Sequence, residues 1–267
     1  MRSTNPVLSR DDVFTRGGYA TFNTAGGAGA DLATQVGEVR APAGVRPMTL
    51  DDVVSRTGLL FVIAAVTGGL AWYLNLGFGV AIGAALVGLV LVIVNSVKRT
   101  VSPPLIMAYA AVEGVFIGGI SFHYEVVLSL DGIVFQAVLG TVAAFVGMLI
   151  AYRTGRIRVT PRFTKALIGA TIGFLILAFA NLLLAMFGVG GGTGIGLRSG
   201  PLGILFGCIG IVLACLFLAL DFHMVEEGIK HGAPERESWL AAFGLTVTLV
   251  WLYLEILRVL AILRGSD

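Results

Sequence analysis

The sequence predicts an all-α integral membrane protein whose body is a bundle of seven transmembrane helices. Three observations carry that expectation. Hydrophobic residues make up 57% of the chain and charged residues only 13%, with a mean hydropathy of +0.92, so water is a poor solvent for most of it. The charged side chains are frequent in residues 2–56 and sparse in residues 57–263. Within the sparse stretch, apolar runs of about 20 residues, the length a helix needs to cross the hydrocarbon core, recur seven times between turn-forming segments. Barrel strands would be about ten residues long and alternating in character.

Residues 1–48 read as a polar cytoplasmic tail and residues 49–267 as the transmembrane domain. The tail is rich in Gly, Ala and Thr with few large apolar side chains, so it is expected to be disordered. Its first thirty residues hold no apolar run of signal-peptide length. Thr49, followed by Asp51 and Asp52, supplies an N-cap and acids for a first helical turn, where the helix dipole favours them. The apolar runs are 57–76, 78–97, 103–122, 132–152, 166–189, 202–222 and 239–263. Between them lie turn formers: Asn75 to Gly79, Ser102-Pro103-Pro104, Thr160-Pro161, the glycine-rich stretch 188–200, and Gly232-Ala233-Pro234.

Orientation follows from Lys and Arg, which are retained on the cytoplasmic side. Of the 18, only Arg198, Arg258 and Arg264 fall outside the segment ahead of the first apolar run, residues 1–56, and the second, fourth and sixth connections. The expected arrangement has the N-terminus in the cytoplasm and the C-terminus outside. A formal charge of +2 is too small to suggest a nucleic-acid partner; the bilayer is the expected partner.

Several of the 37 glycines recur at four-residue spacing: Gly79/Gly83, Gly114/Gly118, Gly169/Gly173 and Gly203/Gly207. Such pairs let helices approach closely. The 188–200 stretch lacks the preceding strand and the Lys-Ser/Thr of a phosphate loop, so no nucleotide cofactor is expected. Cys208 and Cys215, seven apart on one helix, are about 10 Å apart at ~1.5 Å per residue, too far for a disulfide; buried apolar thiols are expected.

Ionisable groups inside a bilayer are expensive, so each is a candidate for function. Glu113 lies ten residues into the third run, near the midplane, where an ionised carboxylate needs a cation or an arginine partner and otherwise is protonated. It reads either as a proton or cation site or as a neutral interhelical hydrogen bond. Asp221 lies at the cytoplasmic end of the sixth run, as a gate or a helix-end carboxylate. Beyond it, His223, Glu227 and His231 have a spacing compatible with a metal, but Glu226 and Glu227 paired with Lys230 on a solvated helix extension explain the segment more simply. Glu255 and Arg258, three apart, form an outer polar pair of structural character, and Asn181, Thr246 and Thr248 add polar atoms that line a pathway or satisfy neighbouring helices. No nucleophile–His–acid set is present, so the chain reads as a non-enzyme without a catalytic site, cofactor or metal centre.

The stretch 95–121 (NSVKRTVSPPLIMAYAAVEGVFIGGIS), Leu220-Asp221-Phe222 and the closing Leu-Tyr-Leu-Glu-Ile-Leu-Arg-Val-Leu resemble the Bax inhibitor-1 family, especially its bacterial members. The resemblance covers residues 50–263, leaving the tail outside. It implies six helices around a central C-terminal seventh, and a passive, pH-sensitive calcium leak in a bacterial cytoplasmic membrane, with calcium ions or protons as the species handled. It also implies a pair of aspartates, on the sixth and seventh helices, that closes the cytoplasmic side. Asp221 takes the first position. Aligning the last helix without a gap puts Arg258 on the family's arginine and Thr248 on the second aspartate; matching Glu255 to that aspartate needs a seven-residue slip, about 10 Å along a helix. The expectation is an Asp221–Thr248 pair in place of the two aspartates, in which Thr donates a hydrogen bond but shares no titrating proton. Glu113 then takes over the titrating role, or pH sensitivity is lost. The competing reading is a non-transporting membrane regulator or scaffold acting through protein contacts.

Overall fold

The computed structural model describes residues 46–265 except 99, 193 and 198. The disorder expected of the 1–48 tail falls outside the described residues over 1–45 and does not hold at 46–48, which are tied down by backbone hydrogen bonds. Seven helices are long and apolar enough to span a membrane: α1 (Leu50–Tyr73), α2 (Phe78–Val97), α3 (Pro103–Phe122), α4 (Ile133–Arg153), α5 (Pro161–Met186), α6 (Gly200–Lys230) and α7 (Glu237–Gly265). No strand occurs among the described residues; one isolated antiparallel bridge joins Pro47 to Pro234. The chain is a multi-pass membrane protein.

Local chemistry sets the helix ends. Thr49 caps α1 in a reciprocal box, its hydroxyl accepting from the Asp52 amide while its own amide donates to the Asp52 carboxylate at 3.0 Å. The helix therefore starts seven residues before the apolar run, and Arg56, grouped with the tail by composition, belongs to α1. Pro103 and Pro161 open α3 and α5, where a missing N–H costs nothing. The Thr160 hydroxyl, accepting from the Phe163 amide, caps α5 and starts it five residues before its apolar run. Glu125, in the π-helical turn His123–Val127 after α3, accepts from the Val134 amide at 3.1 Å in the first turn of α4. Helix α6 continues to Lys230, eight residues past its apolar run, on Glu226–Lys230 and Glu227–Lys230 pairs spaced four and three apart.

Helix α7 is the most buried of the seven. It packs against α1, α3, α4 and α6, and its residues enter the cluster around Leu218 and Leu252, the one around Tyr109 and Phe243, and the one around Ile133 and Leu257. Helix α2 leans on α3 and α5 on α6, so these two form the outer layer, and side chains such as Leu86, Ile176 and Phe179 face lipid. The glycine pairs divide the same way. A Cβ at Gly114 or Gly118 would collide with the α1 backbone at Ala64 or Gly68, and one at Gly207 with Val259, whereas Gly79, Gly83, Gly169 and Gly173 border open space. Two of the four expected packing pairs therefore join no helices within the chain. Cys208 corrects the thiol expectation: it is exposed on the lipid side, and Cys215 is half-buried, both unpaired.

The segment before α1 is pinned to the α6–α7 turn. Met48 donates its amide to the Ala233 carbonyl at 2.7 Å, and Glu235 donates to the Arg46 carbonyl at 2.8 Å. The Met48 side chain is buried in the cluster with Val225 and Leu245. Arg56 reaches from α1 to Ser238 and to the Glu235 carboxylate, closing this end of the bundle.

Candidate functional site

Five carboxyl and hydroxyl side chains singled out in the sequence are buried within the spans: Thr246 at 0% exposure, Asp221 and Thr248 at 6%, Glu255 at 7% and Glu113 at 8%. Asp221 projects from α6, and Thr248 from α7, which lies alongside it. The Thr248 hydroxyl donates to Asp221 Oδ2 at 2.7 Å in the buried interface. The small residue Gly244, one turn before Thr248, leaves room beside the other carboxylate oxygen. The Asp221–Thr248 pair expected from the ungapped register is present in the fold. Among the described residues no Lys, Arg or His lies at salt-bridge distance from Asp221. Buried there, Asp221 must either be protonated or, when ionised, have its charge balanced by a mobile cation.

Glu255 is one helical heptad further along α7 and differently held. Its carboxylate pairs with Arg258 and accepts from Trp251 Nε1 at 3.3 Å. The Arg258 guanidinium also lies 5.5 Å from the Phe206 ring centroid, and Gly210 on α6 provides the space the carboxylate fills. The charge of Glu255 is balanced locally.

Glu113 is not brought to Asp221. It points from α3 toward α2, where its Oε2 occupies the space a side chain on Gly88 would need, with Tyr109 one turn away as its near neighbour. Tyr109 in turn packs edge-on against Phe243 of α7, ring centroids 5.0 Å apart. Asn181 and Thr246 serve the fold: Asn181 holds the Ile195 amide of the glycine-rich connection at 2.8 Å, and Thr246 bonds to the Ala242 carbonyl of its own helix. His231 lies against Glu227 at 3.7 Å, but no cluster of three metal-ligating side chains occurs among the described residues. Two contacts went unread in the sequence: the Ser121–Tyr253 hydroxyl pair at 2.6 Å between α3 and α7, and Tyr152 of α4 bonding to Glu226 of α6 at 2.5 Å. Neither pairing follows a spacing rule, because each joins distant helices.

A family model described as Bax inhibitor 1 like matches residues 5–265. The chain belongs to this family. The match begins well inside the segment that the sequence resemblance left out, so most of the N-terminal tail is part of the family pattern and not an appendage to it. No curated protein matches the chain. In this Bax inhibitor 1 like protein the α6–α7 interface is closed by a carboxylate and a threonine hydroxyl.

Proposed function

We propose that the protein is a passive cation leak, with calcium the favoured ion, in which Asp221 is the ion-interacting carboxyl and Thr248 holds it in the closed arrangement. The observation that carries this reading is a buried carboxyl on α6 whose sole hydrogen bond comes from α7 and which has no fixed cation at salt-bridge distance among the described residues. A carboxyl with such a partner can exchange it for a passing cation; one tied to an arginine cannot do so without separating a buried ion pair. Glu113 is a second carboxyl of the same kind on the α2 side, with a smaller part because it faces away from the α6–α7 interface.

The proposed setting is a bacterial cytoplasmic membrane with the N-terminus inside and the C-terminus outside. It is supported by the concentration of Arg and Lys at the helix ends carrying Arg56, Lys98, Arg153 and Lys230. The test is calcium entry into proteoliposomes loaded with an indicator, using the full chain. Wild type should admit calcium down its gradient without an energy source, and Asp221→Asn should lower the rate several-fold in protein that remains folded. Absence of flux in wild type would favour the membrane regulator acting through protein contacts.

A further inference from the structure

A cleft runs the height of the bundle between α1 and α4, which both pack on α7 but hardly on each other. Phe61 and Phe145 stand in the walls of both its chambers, one toward the arginine-rich end of about 970 Å³ and one beyond of about 580 Å³. Phe145 is eight residues from Arg153 and Phe61 eleven from Leu50, so the first chamber is roughly 12–17 Å deep at the helical rise. That is about half of a ~30 Å hydrocarbon core, the depth of one leaflet.

Below its polar mouth the chamber is apolar, lined by side chains such as Val54, Leu149, Leu245 and, deepest, Phe61 and Phe145. The mouth is also unbalanced in charge. Its acid, Glu226, is engaged by Tyr152 and Lys230. Arg153 and Arg158 line the same mouth, are exposed, and have no ion-pair partner among the described residues.

The geometry points to this chamber as a binding site for an anionic phospholipid of the adjoining leaflet, its phosphate on Arg153 and Arg158 and one acyl chain extending down to Phe61 and Phe145. A soluble phosphate would use the mouth and leave the apolar depth unfilled. A zwitterionic lipid would bring its own cation to a mouth that already has an excess of positive charge. Guanidinium groups grip phosphate through paired N–H donors, which suits two arginines better than a diffuse field would. The wall residue Leu245 lies on α7 three positions before Thr248, so a bound chain would press on the helix that holds Asp221. The site does not depend on whether the chain conducts ions.

The test uses the delipidated full-length protein in detergent, titrated with phosphatidylglycerol or phosphatidylcholine of identical chains and followed by native mass spectrometry and by Tm. Phosphatidylglycerol should be retained at least tenfold more tightly than phosphatidylcholine. The double change Arg153→Gln with Arg158→Gln should remove that preference and leave the lipid-free Tm unchanged. Gly58→Phe should weaken retention of both lipids, because Gly58 lines the chamber and has open space where the ring would go; it keeps the proposal testable if the arginine variant does not fold. Equal affinity for the two lipids, phosphatidylglycerol binding indifferent to both changes, or displacement of the lipid by glycerol phosphate at similar concentration would each overturn it.

Discussion

The α6–α7 interface contains two buried acids held by opposite means. Glu255 has a guanidinium three residues away and an indole N–H beside it, while Asp221 has one hydroxyl from the neighbouring helix. The contrast separates a carboxylate that is part of the fold's own charge balance from one whose balance must come from outside. Two acids of similar burial are thereby expected to differ in what their loss does: one in stability, the other in transport.

The largest effect that would break this contrast is at Arg258. Arg258→Met leaves Glu255 charged and buried without its partner, and should cost about 3–5 kcal/mol of stability, read from the unfolding midpoint in detergent. Asp221→Asn should cost under about 1 kcal/mol, since an amide still accepts the Thr248 bond and removes a charge with no fixed partner. Equal destabilisation by the two changes would erase the distinction. An effect smaller than that of Arg258→Met is expected from Thr248→Val, which deletes the α7 half of the Asp221 contact: about 0.5–2 kcal/mol, the range of interhelical hydrogen bonds in membranes, together with a several-fold rise in calcium flux. Flux unchanged or lowered would deny Thr248 its holding role. The least effect is expected at Glu113. Glu113→Gln should alter stability by under about 1 kcal/mol, since the amide retains hydrogen-bonding capacity beside Tyr109, and should change flux less than Asp221→Asn does.

A pH measurement sharpens the comparison further. Wild-type flux should follow a single protonation step, since Thr248 cannot titrate. Thr248→Asp sets a second acid against Asp221 and should split the profile into two separated steps belonging to the pair. A wild-type profile already in two steps would mean that Glu113 or another acid is coupled to the interface.

The sequence made the number of spans legible because hydropathy records which residues need lipid; two of the helices, α2 and α3, also begin and end where their apolar runs do. Hydropathy missed the first two turns of α1 and the last two of α6, because backbone hydrogen bonding continues past the bilayer wherever a cap or an ion pair sustains it. The Asp221–Thr248 contact was legible through register: along a helix a wrong alignment is displaced by whole turns, so the ungapped one could be chosen. Glu113 was legible as buried but not as facing α2, since the direction of a side chain depends on how two helices are rotated about their axes. The glycine pairs failed for the same reason. The spacing of Gly79 and Gly83 matches that of Gly114 and Gly118, but only the second pair meets another helix.

The pinning of residues 46–48 onto the α6–α7 turn has a mechanical consequence. Two backbone hydrogen bonds, Met48 to Ala233 and Glu235 to Arg46, run side by side in opposite directions, and the buried Met48 side chain acts as a plug behind them. A tension applied to the chain at Arg46 therefore meets these bonds before it can unwind α1. It is delivered to the elbow joining α6 and α7, the two helices whose separation would part Asp221 from Thr248.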